Sequence, residues 1–164
     1  MLDALERIER EMPQLLDDVS NWRSLYVDYH PPVVERLWRQ HGDFRVYLHR
    51  IHPCEPDGAL FHPHPWPSAM RLLSGKYEMA IGHGKGDEAP PIDTKRIVSA
   101  GACYEMTDPD DWHYVCPIGE PAMTLMVTGN PYGRWAPKSE KPLRELSEVQ
   151  KREIFDFFTS AYKI

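Results

Sequence analysis

His62-Pro63-His64-Pro65-Trp66-Pro67-Ser68-Ala69-Met70-Arg71-Leu72-Leu73-Ser74-Gly75 is the stretch whose reading decides the fold. Side chains alternate faces along a strand, so two histidines two residues apart on an extended segment project the same way. Both imidazoles can then reach one metal ion, provided a third ligand arrives from another strand. His113 is the natural third, in the aromatic and apolar run Trp112-His113-Tyr114-Val115-Cys116. Around these residues the hydrophobic period is two. Phe44, Val46 and Leu48 alternate with Arg45, Tyr47 and His49, and strand-like runs follow at 69–73, 77–81, 95–99, 102–106, 112–115 and 123–128. Clusters of Gly, Pro and Asp separate the runs, as short antiparallel strands require, and the spacing suggests a barrel or a two-sheet jelly roll.

His62, His64, Gly75 and His113 together resemble the cupin superfamily, whose first motif reads G-x5-H-x-H-x3,4-E-x6-G and whose second reads G-x5-P-x-G-x2-H-x3-N. The resemblance runs from about Phe44 to Val127. Ser68 stands at the position of the motif's Glu. In the second motif Asp108 and Asp110 take the Pro and Gly positions, with Pro109 between them, and Pro117 takes the closing Asn. The resemblance implies a mainly β chain, a single cupin-type β-barrel or jelly roll with N-terminal and C-terminal helices. With the Glu missing, it implies a metal held by His62, His64 and His113 alone. Among cupin enzymes a three-His iron centre is similar to that of the thiol dioxygenases and of some diketone dioxygenases.

The flanks read as helices. Leu2, Leu5, Ile8, Met12, Leu15, Leu16 and Val19 recur at helical spacing, with Pro13 expected to kink the run or start its second half. Pro31-Pro32 is expected to open a short helix through Leu37 and Trp38, closed by Gly42. Ser147 and Gln150 form a capping-box pattern ahead of a last helix whose face is Val149, Ile154, Phe157 and Phe158. The resulting division of a single domain, 1–164, is a helical extension over 1–42, a β-barrel core over 43–130 and a terminal helix over 145–162.

Composition narrows the function classes. The 164 residues fit one ordinary domain, and a net charge of -6 argues against nucleic acid, which calls for a basic face. No run approaches the ~20 apolar residues of a membrane span. The acidic N-terminus lacks the basic start and apolar core of a signal peptide, and the three cysteines (Cys54, Cys103, Cys116) have no CxxC spacing. Both points favour a reducing cytoplasm. Gly82-His83-Gly84-Lys85-Gly86 lacks phosphate-loop spacing and reads as a flexible hairpin loop.

Three neutral imidazoles leave the double-positive charge of a divalent ion uncompensated, which favours an anionic partner and leaves coordination positions open. Imidazole suits iron(II), zinc, nickel and copper alike, with manganese also compatible, and it is the resemblance to the cupin dioxygenases that favours iron(II). Tyr47, His49, Trp66, Ser68 and Trp112 are the candidate pocket residues, while Glu105, Asp108, Asp110 and Asp111 are candidates to replace the missing carboxylate or to orient an imidazole. Each has a plainer alternative: a histidine pair bracing a proline-rich turn, a buried hydrogen-bonded His113, aromatic core packing, solvated loop acids. No catalytic acid or base is singled out. The leading expectation is an iron-dependent, dioxygenase-like oxidoreductase acting on a small anionic molecule, with a homodimer compatible. The alternatives are a non-catalytic small-ligand-binding cupin and a redox-neutral, metal-dependent isomerase or lyase.

Overall fold

In the computed structural model, which describes residues 1–163, the chain begins with helix α1 (Leu2–Asp17). Five strands follow: β1 (Arg23–Val27), β2 (Val34–His41), β3 (Phe44–Ile51), β4 (His62–Pro63) and β5 (Ser68–Ser74). Five more lead to the last helix: β6 (Lys76–His83), β7 (Thr94–Ser99), β8 (Cys103–Met106), β9 (Asp111–Pro117), β10 (Ala122–Thr128) and α2 (Glu148–Tyr162). The strands form a six-stranded sheet, β1-β2-β3-β10-β5-β8, and a four-stranded sheet, β4-β9-β6-β7, with antiparallel pairing throughout. Two antiparallel sheets flanked by two helices make a cupin-like arrangement.

The centre of the six-stranded sheet is buried on both faces, and this explains its sequence. Val46 and Leu48 of β3 and Leu125 and Val127 of β10 join Leu5, Ile8, Met12, Ile154 and Phe158 in a core beneath the two helices. On the other face Tyr47, Met70, Leu72 and Met126 meet Tyr77 and Met79 of the second sheet. A strand covered on both sides needs no polar alternation, and all seven residues of β10 are buried. A third, smaller cluster, Ala80, Tyr114 and Cys116, packs under the strap between β3 and β4 through Cys54, Ala59 and Phe61.

The structure corrects the expected helical extension over 1–42. Only α1 is helical apart from a single 3-10 turn at Val19–Asn21; the sheet begins at Arg23, and the expected helix after Pro31-Pro32 is strand β2. Charges hid the strand period. Glu35, Leu37 and Arg39 face the helices, where the Glu35 carboxylate accepts from Arg50 and Gln150, and Arg39 donates to the Leu15 carbonyl at 3.1 Å. Burial alone would raise the Glu35 carboxyl, but the hydrogen bonds from Arg50 and Gln150 outweigh it and hold it below its usual value. Gly42 does not cap a helix. It sits at φ 58 in the two-residue turn between His41 and Phe44, the first central position that a II′ hairpin reserves for glycine.

Pro13 lies within one continuous helix, whose buried positions Leu5, Ile8, Met12, Leu15 and Leu16 keep the expected stripe. Val19 and Val149, expected on apolar faces, are 56% and 53% exposed. At the other end the capping box is formed: Gln150 N donates to Ser147 Oγ at 3.2 Å and Ser147 N to Gln150 Oε1 at 2.9 Å. No helix among the described residues is long and apolar enough to cross a membrane.

Candidate metal centre

Register brings the histidines together. His62 of β4 is the direct cross-strand partner of His113 on β9, so their side chains leave the same face of the four-stranded sheet. Their ring centroids are 4.8 Å apart, and His64, just past the end of β4, holds its ring 4.8 Å from His113 on another side. All three line one cavity of about 200 Å³ between the sheets.

Hydrogen bonds fix two of the tautomers. His62 Nδ1 lies 2.9 Å from the Leu60 carbonyl oxygen and His64 Nδ1 lies 2.9 Å from that of Trp66. A carbonyl oxygen only accepts, so each Nδ1 carries the hydrogen and each Nε2 keeps a bare lone pair, the form a metal ligand needs. Ser68 Oγ stands 3.2 Å from the same His64 nitrogen. Burial, as the leading cause, lowers both imidazoles to about 4, and it holds His113 well below the usual histidine value with help from His62 and His64. All three are neutral at neutral pH. His113 Nδ1 is sealed from solvent without a hydrogen-bond partner. Such an orphan costs about 1–3 kcal/mol, which coordination would relieve. Neutral donors, an orphaned nitrogen and a shared cavity fit a divalent transition metal.

Among the described residues, three ligand atoms all within 4.8 Å of one another occur in a different group: His83, Asp108 and Asp111. The cavity imidazoles do not stand that close together as a set. The outer group is explained by ion pairing, since His83 Nε2 lies 2.8 Å from Asp111 and Nδ1 lies 3.3 Å from Asp93. His83 and Asp108 are exposed and Asp111 is buried, whereas in the cavity His62 and His64 are held by neutral carbonyl acceptors.

Arg36, which sequence reasoning missed, is the one formally charged side chain in the cavity wall, and no Asp or Glu lines it among the described residues. Its Nε donates to His49 Nε2 at 3.0 Å, and its guanidinium carbon lies 5.1 Å above the Tyr47 ring. Arginine only donates, so His49 carries its hydrogen on Nδ1, which faces Thr124 Oγ1 at 3.3 Å. Burial, then the neighbouring Arg36, keeps His49 neutral. Arg36 makes no ion pair with any carboxylate of the described residues. Its position on β2, a segment expected to be helical, concealed it; the alternation Val34, Arg36, Trp38 was the available signal.

The other candidates separate into those that line the cavity and those that do not. His49 and Trp66 line the cavity, with Trp66 Nε1 buried and unpartnered. Tyr47 is buried behind Arg36 and does not line it. Ser68 is fully buried beside His64 and likewise stays out of the wall. Trp112 leaves the opposite face of β9 from His113, where it packs on Phe61 and donates to the Gly84 carbonyl. Glu105 pairs with the N-terminal amine, and Asp108, Asp110 and Asp111 lie outside the cavity. None of these acids reaches the three histidines.

No family model matches the chain, and no curated protein matches it. Among solved structures it is similar to Fe(II) HppE, with a TM-score of 0.51 and 16% identity over 66% of this chain and 56% of that one. Hydroxypropylphosphonic acid epoxidase from S. wedmorenis gives 0.48 and 18% over 68% and 56%. Streptomyces albus HEPD, with 2-hydroxyethylphosphonate and Fe(II) bound, gives 0.49 and 11% over 66% and 24%. The chain thus spans little more than half the length of HppE, and the likeness is one of fold: two antiparallel sheets enclosing a cavity.

Proposed function

We propose that the cavity is a mononuclear metal centre for the oxidation of a small organic anion, in an iron(II)-dependent, dioxygenase-like reaction. One observation carries the reading: three neutral histidines and one unpaired arginine share a cavity that no carboxylate of the described residues lines. His62, His64 and His113 would hold the ion. Iron is the first metal to load because it suits imidazole donors and is the metal named with HppE. Bound there, iron(II) would supply the redox change that chemistry with O2 requires and that zinc lacks.

The remaining roles belong to the protein. Arg36 pairs with the substrate's anionic group, and His49 fixes the guanidinium plane from its edge. Met70, Met126 and Trp66 line the cavity and keep it poor in water, which strengthens that pairing. Tyr77 and Tyr104 are hydrogen-bonded to each other at 2.6 Å, and burial pushes Tyr104 up to about 12, so this pair stays protonated. The same reading treats residues 1–164 as a single domain, with both helices packed on the sheet that carries Arg36 and His49.

A second reading, anion binding without catalysis, draws on the separation of the three imidazoles and on Arg36, which needs no metal to bind an anion. Oxygen uptake separates the two. Protein loaded anaerobically with iron(II) should hold about one ion per chain and consume O2 with one class among thiols bearing a carboxylate, β-dicarbonyls and small hydroxy acids. The zinc form and His113→Ala should be inert. Full metal content in a His62→Ala/His64→Ala double variant would sink the metal assignment. Equal turnover with zinc would favour a redox-neutral reaction, and tight ligand binding without turnover would favour the binding protein.

A further inference from the structure

Outside the cavity, two cysteines join the segments that carry the histidines. Cys54 lies on the strap between β3 and β4, ahead of His62 in the chain, and Cys116 lies on β9 after His113, on the opposite face of that strand. Their Sγ atoms are 3.2 Å apart, and the Cys116 thiol donates to the Cys54 carbonyl at 2.7 Å. A disulfide bond of about 2.04 Å requires roughly 1.2 Å of further approach, within reach of side-chain rotation. The sulfurs border a surface cleft of about 420 Å³ whose walls include Glu55, Glu78 and Ile118. Cys54 is half-buried at this cleft and Cys116 is buried behind it, so a solute meets Cys54 first. The third cysteine, Cys103, is exposed on β8 in the other sheet.

We propose that Cys54 and Cys116 form a reversible dithiol–disulfide site that reacts with small-molecule disulfides and, once oxidised, staples the histidine-bearing strap to β9. In the first step the Cys54 thiol loses its proton and attacks one sulfur of the reagent. The reagent's S–S bond breaks, a mixed disulfide forms and one reagent thiol departs. Cys116 then attacks the Cys54 sulfur, closing the Cys54–Cys116 bond and releasing the second reagent thiol. The protein loses two electrons and two protons, and the reagent gains both. Burial and the adjacent Cys116 push the Cys54 thiol up to about 12, so exchange is slow at neutral pH and quickens as pH rises.

The test uses the full chain carrying Cys103→Ser, with oxidised glutathione as probe. The expected product has lost two hydrogens, carries no glutathione, yields a Cys54–Cys116 cross-linked peptide and reverts with dithiothreitol. Closing a loop of this length should raise the thermal midpoint by roughly 5–15 °C over the reduced form. Adding Cys116→Ser should stop the reaction at the glutathione adduct on Cys54. A stable adduct in the two-cysteine protein, no reaction at pH 9, or a lower midpoint after oxidation would each overturn the proposal. None of these readouts involves a metal, so they stand apart from the function proposed above.

Discussion

At Arg36 a guanidinium faces the cavity with no carboxylate among the described residues to pair it, so any anion admitted there recovers charge-assisted hydrogen bonds at little desolvation cost beyond its own. Arg36→Met should therefore weaken binding of an anionic ligand by roughly 10–100-fold, while leaving a neutral analogue of the same shape unaffected. Calorimetric titration of both ligands checks this, and equal losses would mean that the arginine merely props the wall. The histidines make a separate prediction about pH. Unfolded, each takes up a proton near 6.5, but in the folded chain His62 and His64 refuse it until about 4. Between those values the unfolded state binds more protons, so stability falls as pH drops through the window and levels off below it. The loss is on the order of 3 kcal/mol per histidine as an upper bound. Urea midpoints followed from pH 7 to 4 should decline, and a His62→Gln/His64→Gln variant should decline less. Ser68 shows where residue-level reading stopped. Strand parity correctly turned it inward, yet its hydroxyl sits beside His64 Nδ1 and not on the ligating side.

Two turns show how element geometry selects its residues. Gly42 at φ 58 has open space where a Cβ would go, so Gly42→Ala costs only the left-handed strain, about 1–2 kcal/mol. Gly75, the glycine of the first motif, has φ 84, and a Cβ there would meet the Pro121 carbonyl oxygen at 3.0 Å and Ala122 Cα at 3.1 Å. Both neighbours are backbone at the start of β10, so Gly75→Ala must shift a strand and should cost about 2–4 kcal/mol. Chemical denaturation of the two variants gives the order, and a smaller loss at Gly75 would contradict the packing. These elements also explain what the sequence disclosed. From β3 onward the strands were legible because turn residues bracket short apolar runs, and α2 was legible through Ser147 and Gln150. Strand β2 was not, because its helix-facing side carries Glu35 and Arg39, whose partners Arg50, Gln150 and Leu15 lie far along the chain or in another element. A buried charge satisfied by tertiary contact looks, in one dimension, like a solvated helix face.

Across the whole molecule the histidines stand at the junction of the layers. His62, His64 and His113 come from the four-stranded sheet and the segment leading out of it, while Arg36 and His49 come from the six-stranded sheet braced by both helices. The histidine triad was legible because the two halves of its motif are local. The arginine opposite was not, because nothing local links position 36 to position 113. This layout couples ligand binding to global stability, since a metal that binds the folded triad and not the unfolded chain stabilises by mass action. At a free metal concentration about 100 times the dissociation constant the gain is about 2.7 kcal/mol, or roughly 5–10 °C in a chain of this size. Thermal scans with zinc, cobalt or iron(II) under argon should show that rise in the wild type and lose it in His113→Ala. His83→Ala should keep it, because His83 belongs to the acidic group outside the cavity. A rise that survives His113→Ala but vanishes in His83→Ala would move the metal to the surface cluster and leave the cavity as an anion pocket governed by Arg36.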